Sequence, residues 1–267
     1  KLGKGGAKQF KRAVDGVADI SFGLQGYTSS QFRATTLVEL PNIAKDAVEA
    51  TRAMWAAYDG LLDKEYKNVK LLFMWSVDRP LIMTLKKPVR SLADLKGMKI
   101  RTPSQMQSKT IKALGAVPIP MSITKVYNGM ARGVIDGGLT STTTLRGFKL
   151  AEVTKYFTAG LPWGTSPMFL VMNKKTYEGL SPAHKAIIDK TTGAKPSELG
   201  ARIYEKENAE GWDFIRKSSK HEFVEMNKAD LQKSLNIWKT TSKEMIAETT
   251  ARGVPAQKIV DRMLAAN

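Results

Sequence analysis

The chain has 267 residues, of which 42% are hydrophobic and 25% charged, ordinary values for a globular protein of one large domain or two smaller ones. No apolar run approaches the roughly eighteen residues that a membrane-spanning helix needs. Lysine and arginine number 42 against 25 acidic residues, a net charge of +17, and the absence of cysteine excludes disulfides, thiolate metal sites and cysteine nucleophiles.

Apolar runs punctuated by glycine and proline alternate with amphipathic stretches, which predicts βα units and an α/β fold. The first third of the chain is predicted to hold a helix over 10–17, a strand over 18–22, a loop over 23–27, a helix over 41–59 and a continuously apolar strand over 69–75.

The middle of the chain carries the sharpest local signals. Ser91 is predicted as the N-cap of one helical turn, with Asp94 in the capping-box position and Gly97 as the stop. A compact βαβαβ segment is predicted to follow: a strand over 98–102, a helix opened by Pro103-Ser104 and ended by Gly115, a strand over 117–121, a helix from Ser122 to 132 and a strand over 134–139.

Long helices dominate the last third. The prediction there is a strand over 169–173, a helix starting at Ser181-Pro182, a charged helix over 196–218, a strand over 221–226 and a helix over 228–252. No internal repeat or low-complexity linker divides the chain. We therefore expect two lobes that exchange segments more than once.

Motifs of catalysis and cofactor binding are incomplete. The glycine-rich stretch 2–8 lacks the Gly-Lys-Ser/Thr ending of a phosphate loop, and Gly137-Gly138 lacks the spaced glycines of a dinucleotide site. His184 and His221 are far apart in sequence, and no paired-histidine metal motif occurs. We expect no catalytic residues, no metal and no cofactor.

The basic excess is scattered rather than concentrated. Its longest clusters are pairs such as Lys86-Lys87, and neither a groove-reading motif nor a basic strand interleaved with aromatics is present. Nucleic acid is therefore not the expected partner, although a cationic module that binds nucleic acid or anionic membrane stays an alternative.

Arg101 stands apart from the other basic residues. Met98 and Ile100 share one face of the predicted strand, so Arg101 projects from the opposite face near the carboxyl end, where α/β sheets bind ligands. Its guanidinium can hold a carboxylate with two parallel hydrogen bonds, helped by the amides that open the next helix. The alternative is a solvated surface charge.

The segment 91–103, Ser-Leu-Ala-Asp-Leu-Lys-Gly-Met-Lys-Ile-Arg-Thr-Pro, resembles the most recognisable segment of the solute-binding proteins of TRAP transporters. Further stretches match the family in order over nearly the whole chain: 2–3, 15–19, 40–41, 114–121, 126–127, 133–137, 149–153, 173–174 and 180–182.

The resemblance implies a two-lobed periplasmic-binding-protein type II-like fold, with an interlobe cleft and long helices that brace the hinge. Residues 1–78 and 167–206 would form lobe I, and residues 79–166 and 207–267 would form lobe II. Family chains usually begin with a strand and a helix before the position of Lys1, so part of lobe I is expected to be missing from this sequence.

By the same resemblance, the chain is expected to be a monomeric periplasmic protein whose signal peptide has been removed. It would bind a small organic acid by closure of the lobes and deliver it to the TRAP membrane subunits, without enzymatic activity. An α/β enzyme that acts on a small acid is the other alternative.

Loops at strand ends are predicted to line the pocket around Arg101. The residues concerned are Gln25, Tyr27, Trp75, Gln105, Thr140 and Ser141, with Trp163 and Thr165 from the stretch that leads into the strand at 169. For Trp75 and Trp163, core packing is an equal alternative.

Two positions depart from the family pattern. Leu81 stands where many members carry a second ligand-binding arginine, which leaves Arg79 as the nearest substitute, and Thr140 replaces the usual asparagine contact. A second carboxylate buried against Leu81 would be uncompensated. We therefore expect a monocarboxylate with an apolar or aromatic body, such as a 2-oxo or 2-hydroxy acid.

Overall fold

Two β-sheets, one of three strands and one of six, organise the chain. The computed structural model describes residues 5–267, so the predicted match at 2–3 and the start of the glycine-rich stretch lie outside the described residues. The sheets are covered by helices, and the predicted α/β class is confirmed.

Nine strands form these sheets between residues 5 and 267. In chain order they are β1 (Ile20–Leu24), β2 (Val69–Ser76), β3 (Leu81–Thr84), β4 (Lys99–Thr102), β5 (Val117–Pro120), β6 (Gly137–Thr140), β7 (Tyr156–Ala159), β8 (Pro167–Asn173) and β9 (Glu222–Glu225). β3 and β7 were not predicted. All four residues of β3 are buried, so this short strand shows no alternation of polar and apolar residues.

Eleven helices of the α type occur in the described part of the chain. They are α1 (Gln9–Val14), α2 (Ala47–Ala56), α3 (Leu92–Leu95), α4 (Gln105–Ala113), α5 (Val126–Ala131), α6 (Thr144–Gly147), α7 (Lys174–Glu178), α8 (Pro182–Thr191), α9 (Ala194–Lys217), α10 (Lys228–Ala251) and α11 (Ala256–Leu264). None of them is both long and apolar enough to cross a bilayer. α11 was not predicted.

Local capping explains where several helices begin. Ser91 and Asp94 form the predicted capping box of α3, and Ser104 caps α4 by accepting from the backbone N–H of Gln107. α2 starts later than predicted because Asp46, its N-cap, accepts from the backbone N–H of Glu49. Ser122 stands at the predicted N-cap, before a 3₁₀ turn that leads into α5, but its side chain makes no cap hydrogen bond.

The smaller sheet forms lobe I. β1 and β2 flank β8, and both run antiparallel to it. One face of the sheet carries an aromatic cluster in which the rings of Phe10, Phe32 and Phe169 lie within 6 Å of one another. α2 packs against β2 over the same core.

The larger sheet forms lobe II, with strand order β5-β4-β6-β3-β7-β9. β4 runs parallel to β5 and to β6, which confirms the predicted βαβαβ segment. β3 pairs antiparallel with both β6 and β7. β4, which carries Arg101 near its carboxyl end, therefore has a neighbouring strand on each side.

The chain crosses between the lobes repeatedly, as predicted. It passes from β2 to β3, from β7 to β8, and through the 24-residue helix α9, which contacts both β2 and β9. α10 then packs along α4 and leads to α11. At about 1.5 Å per residue, α9 and α10 are each about 36 Å long, which suits helices that brace a hinge.

The last helix departs from the predicted division of the chain. Residues 207–267 were assigned to lobe II, but α11 packs against α2, and its Ile259, Val260 and Met263 are buried in the core of lobe I. The apolar face of α11 is stabilised by burial. α10 leads the chain back to lobe I, where this face is buried. The other boundaries stay predictions.

Candidate functional site

Arg101 lies on β4 between its two parallel neighbours, opposite Ile119 of β5 and Gly138 of β6. Only 2% of its surface is exposed, so the alternative of a solvated surface charge does not hold. Its Nε donates to the backbone oxygen of Met121 at 2.9 Å, and Nη1 donates to that of Leu139 at 3.1 Å. Both acceptors fix the plane of the guanidinium.

The third hydrogen bond of Arg101 crosses to lobe I. Nη2 donates to the hydroxyl of Tyr27 at 3.4 Å, and the same hydroxyl accepts from the backbone N–H of Ile123 at 3.0 Å. Tyr27 lies in a 3₁₀ turn, Gln25–Thr28, directly after β1. The predicted residues Arg101 and Tyr27 therefore meet where the lobes touch.

The charge of Arg101 has no protein counterion in residues 5–267, since none of the ion pairs there includes it. Burial lowers its pKa, because a desolvated cation is unfavourable. A guanidinium has five N–H donors, and the hydrogen bonds described above use three. One donor remains on each terminal nitrogen, which suits a carboxylate with two oxygens.

Further polar contacts between the lobes surround the start of α4. The backbone N–H of Gln105 donates to Ser29 Oγ at 3.2 Å. Gln107 Nε2 donates to Ser166 Oγ at 2.8 Å, at the crossover that leads into β8. Ser104 Oγ donates to the carboxylate of Glu39. We call this set of contacts, together with Arg101 and Tyr27, the interlobe seam.

Three predicted pocket residues lie on the lobe II side of the seam. Thr140 is buried and follows Leu139, whose oxygen holds Arg101. Ser141 is buried and shares a hydrogen bond of 2.6 Å with Thr143. Gln105 reaches the seam through its backbone, and its side chain is exposed.

Gln25 and Thr165 are buried in hydrogen bonds next to the seam. Gln25 Nε2 donates to the hydroxyl of Tyr66 at 2.9 Å, while its Oε1 has no partner among the described residues. Thr165 Oγ1 accepts from Ser76 Oγ at 2.7 Å. Both side chains therefore form hydrogen bonds to other side chains of the protein.

Trp75, Trp163 and Arg79 each contact other parts of the protein. Trp75 lies against Gly200 of α9, where an added Cβ would be 3.5 Å from its ring. Trp163 is 1% exposed and packs in the core of lobe II, 4.6 Å from the ring of Trp238. Trp163 therefore contributes to the core of lobe II, whereas Trp75 is only partly buried. A ligand contact by either ring stays a prediction.

Arg79, the predicted substitute for a second pocket arginine, bonds to the backbone of lobe I, and its role in the pocket stays a prediction. Its Nη2 donates to the backbone oxygen of Ala44 at 2.9 Å, and the acidic residues that act on its charge are Asp46, Glu205 and Glu49. The charge of Arg79 is therefore attracted by acids on lobe I and α9.

Two buried carboxyls were missed by sequence reasoning. Glu39 is 1% exposed and Asp78 is fully buried, and burial raises the pKa of each to about 8. Asp78 accepts from Thr143 across the chain crossover at 3.4 Å. The signal for Glu39 was a single acid within the apolar run 37–40. No group of three metal-ligating side chains occurs in residues 5–267.

Comparison with known proteins matches the chain to bacterial extracellular solute-binding protein family 7, DctP, over residues 2–249. The 2,3-diketo-L-gulonate-binding periplasmic protein YiaO of Escherichia coli K12 is 32% identical over 149 residues, 55% of this chain and 45% of the relative. The C4-dicarboxylate-binding periplasmic protein DctP of Rhodobacter capsulatus is 28% identical over 70% of this chain and 56% of its own length. The chain thus spans about half the length of these curated relatives.

Solved structures extend the similarity to the whole fold. A TRAP solute-binding protein from a marine metagenome, described as specific for aromatic acid ligands, is 27% identical with a TM-score of 0.93, over 99% of this chain and 84% of that one. A TRAP solute-binding protein from Rhodoferax ferrireducens T118, in complex with copurified benzoate, is 25% identical with a TM-score of 0.94, over 100% of this chain and 84% of that one.

Proposed function

The chain belongs to the DctP family of bacterial extracellular solute-binding proteins, and from that premise we propose that it captures a small monocarboxylic acid between its lobes through Arg101. The acid would be enclosed as the lobes close, and the closed protein would deliver it to the membrane subunits of a TRAP transporter. The protein acts by binding and release, with no chemical step.

One observation carries this proposal: Arg101 is a buried cation without a counterion among residues 5–267. Burying an unpaired charge is costly, and an acid that brings its carboxylate to the two free donors would remove that cost. Closing on the acid then becomes more favourable than closing on an empty site. A ligand with this preference for the closed form shifts the lobes toward it.

Two observations support an acid with an aromatic or otherwise apolar body. Arg101 is the one arginine at the seam within residues 5–267, while Leu81 lies buried opposite Thr140 and Arg79 bonds to Ala44. A second carboxylate would therefore lack a fixed cation. The two similar solved proteins, one described as specific for aromatic acids and one holding benzoate, agree with this preference.

A thermal-shift screen with matched acids tests the proposal. Benzoate and 3-hydroxybenzoate, present at a hundred times their dissociation constant, should stabilise the folded protein by about 2.7 kcal/mol. At roughly 2–4 °C per kcal/mol for a chain of this size, the melting temperature should rise by about 5–10 °C.

The diacid succinate and the sugar acid galacturonate, at the same concentrations, are the matched comparison. We expect them to raise the melting temperature less than benzoate does, because each demands polar or charged partners beyond Arg101. A larger shift with either of them would contradict the predicted acid class, and no shift with any acid would contradict acid capture itself.

A further inference from the structure

Glu39 is a buried carboxyl at the seam that the proposed capture of an acid does not use. It ends a 3₁₀ turn, Thr35–Glu39, on lobe I, and 1% of its surface is exposed. Its Oε2 accepts from the hydroxyl of Ser104, which is also the N-cap of α4 on lobe II. Arg101 lies three residues before Ser104 in the chain, so Glu39 acts on the segment that carries the acid-binding cation.

The packing around Glu39 depends on two glycines. A Cβ at Gly164 would lie 2.0 Å from the backbone oxygen of Glu39, and a Cβ at Gly26 would lie 3.0 Å from its Oε1. Since Gly26 precedes Tyr27, which bonds to Arg101, the carboxyl and the guanidinium contact adjacent residues of one turn. Ser104 and Gly164 of lobe II therefore contribute to the enclosure of Glu39.

The groups that face Glu39 are uncharged. Ser104 and Gly26 contact its carboxyl, and Gly164 lies against its backbone. The titratable side chains next along these segments are Tyr27 and Arg101, which bond to each other. Its Oε1 has no hydrogen-bond partner among the described residues. An ionised carboxylate in this place would be desolvated with one donor only, which favours the neutral acid.

The two states of the lobes therefore differ in the acidity of Glu39. With the lobes together, burial raises its pKa from 4.5 to about 8, and the hydrogen bond from Ser104 offsets only part of this effect. With the lobes apart, the Ser104 side of the enclosure is gone, and water reaches the carboxyl. Its pKa then falls back toward the ordinary value.

We infer that Glu39 is a positioning residue of the acid site, which closes onto Ser104 in its neutral form and so couples capture of the acid to the uptake of one proton. The inference rests on the proposed function. It adds a proton as the second species that the protein takes up on closing.

Arg101 makes the two binding events support each other. A carboxylate bound to Arg101 cancels the positive charge that would otherwise favour ionised Glu39. The bound acid therefore stabilises the proton on Glu39, and by linkage the proton stabilises the bound acid. Because the closed state has the higher pKa, closing is favoured at low pH, and this advantage disappears as the pH rises from about 5 toward 8.

Calorimetric titration of benzoate between pH 5.5 and 8.5 tests the inference, since benzoate itself is ionised throughout this range. The affinity of the parent protein should fall by about tenfold per pH unit below pH 8 for each proton taken up. Glu39→Gln keeps the shape and the hydrogen bond to Ser104 but cannot ionise. The slope of log affinity against pH should therefore be smaller by about one in this variant.

Glu65→Gln is the matched control. Glu65 is also largely buried with a raised pKa, but it bonds to Ala34 and Thr35 within lobe I, so closing should not change it. This variant should keep the slope of the parent. Proton uptake by Asp78 would contribute equally to the slopes of the parent and of Glu39→Gln. It therefore cancels in the difference between the two slopes.

Proton uptake by the parent protein gives a second readout that needs no variant. At pH 6.5, the binding enthalpies in two buffers of different ionisation enthalpy should report uptake of at least about one proton per benzoate bound. Equal slopes for the parent and Glu39→Gln, or binding without proton uptake, would overturn the inference and leave acid capture standing. Failure to bind any acid at every pH would instead overturn the proposed function.

Discussion

Replacement of Arg101 by alanine is expected to lower the affinity for the captured acid by about thirtyfold to several thousandfold. Removing one partner of a buried charge pair costs roughly 2–5 kcal/mol, and each 1.4 kcal/mol is about a factor of ten. The loss should be large because the acid would be left as an unpaired buried charge. Isothermal titration calorimetry with the acid that gives the largest thermal shift measures it.

Arg132→Ala is the control for this experiment. Arg132 follows α5 on the same lobe and is exposed, so its removal changes the net charge equally without touching the seam. It should bind like the parent. If Arg101→Ala, folded by circular dichroism, bound the acid as tightly as Arg132→Ala, Arg101 would not be the acid-binding residue.

Replacement of Trp163 by alanine should destabilise the protein by about 3–5 kcal/mol, the usual cost of deleting a buried aromatic side chain. The ring of Trp163 is fully buried and lies 4.6 Å from that of Trp238, whose Nε1 donates to the backbone of Thr110 at 3.1 Å. The variant would leave a cavity between α10 and the sheet of lobe II. At roughly 2–4 °C per kcal/mol, the melting temperature should fall by about 6–20 °C.

Trp163→Phe separates packing from ligand contact. It retains most of the apolar ring, so it should recover a large part of the lost stability, and both variants should keep their acid affinity wherever they are folded. A Trp163→Ala protein that melted like the parent but no longer bound the acid would contradict the core assignment. It would restore the sequence-based prediction of a ligand contact.

Local sequence signals predicted the middle of the chain well. The capping box at Ser91, the cap at Ser104 and the glycine stops at Gly97 and Gly115 determine their own backbone conformations, and each was confirmed. The family predicted from the resemblance, and the α/β class predicted from the alternation of apolar and amphipathic stretches, were confirmed as well.

Elements without a local signal were missed. β3 is four residues long and buried throughout, and β7 has only four residues, so neither shows the alternation that marks a half-buried strand. α11 follows Pro255, which was read as the end of the helical region. Its burial in lobe I depends on α2, some two hundred residues earlier, and no local pattern carries that information.

The environment of the candidate site was predictable only in part. Arg101 could be placed because strand periodicity fixes its face and parallel sheets bind ligands at strand ends. The partners of Glu39, Arg79 and Trp163 are set by contacts between distant segments. The sequence shows which groups are present, but the fold determines which of them are buried together.

A crystal structure of the protein with benzoate, or with another aromatic monoacid that gives a larger thermal shift, shows directly whether Arg101 binds the carboxylate. We expect closed lobes with the two carboxylate oxygens about 2.7–2.9 Å from the terminal nitrogens of Arg101, the usual length of such charged hydrogen bonds. The ring should lie between the lobes. An acid bound elsewhere, with Arg101 still bonded only to Met121, Leu139 and Tyr27, would contradict acid capture by Arg101.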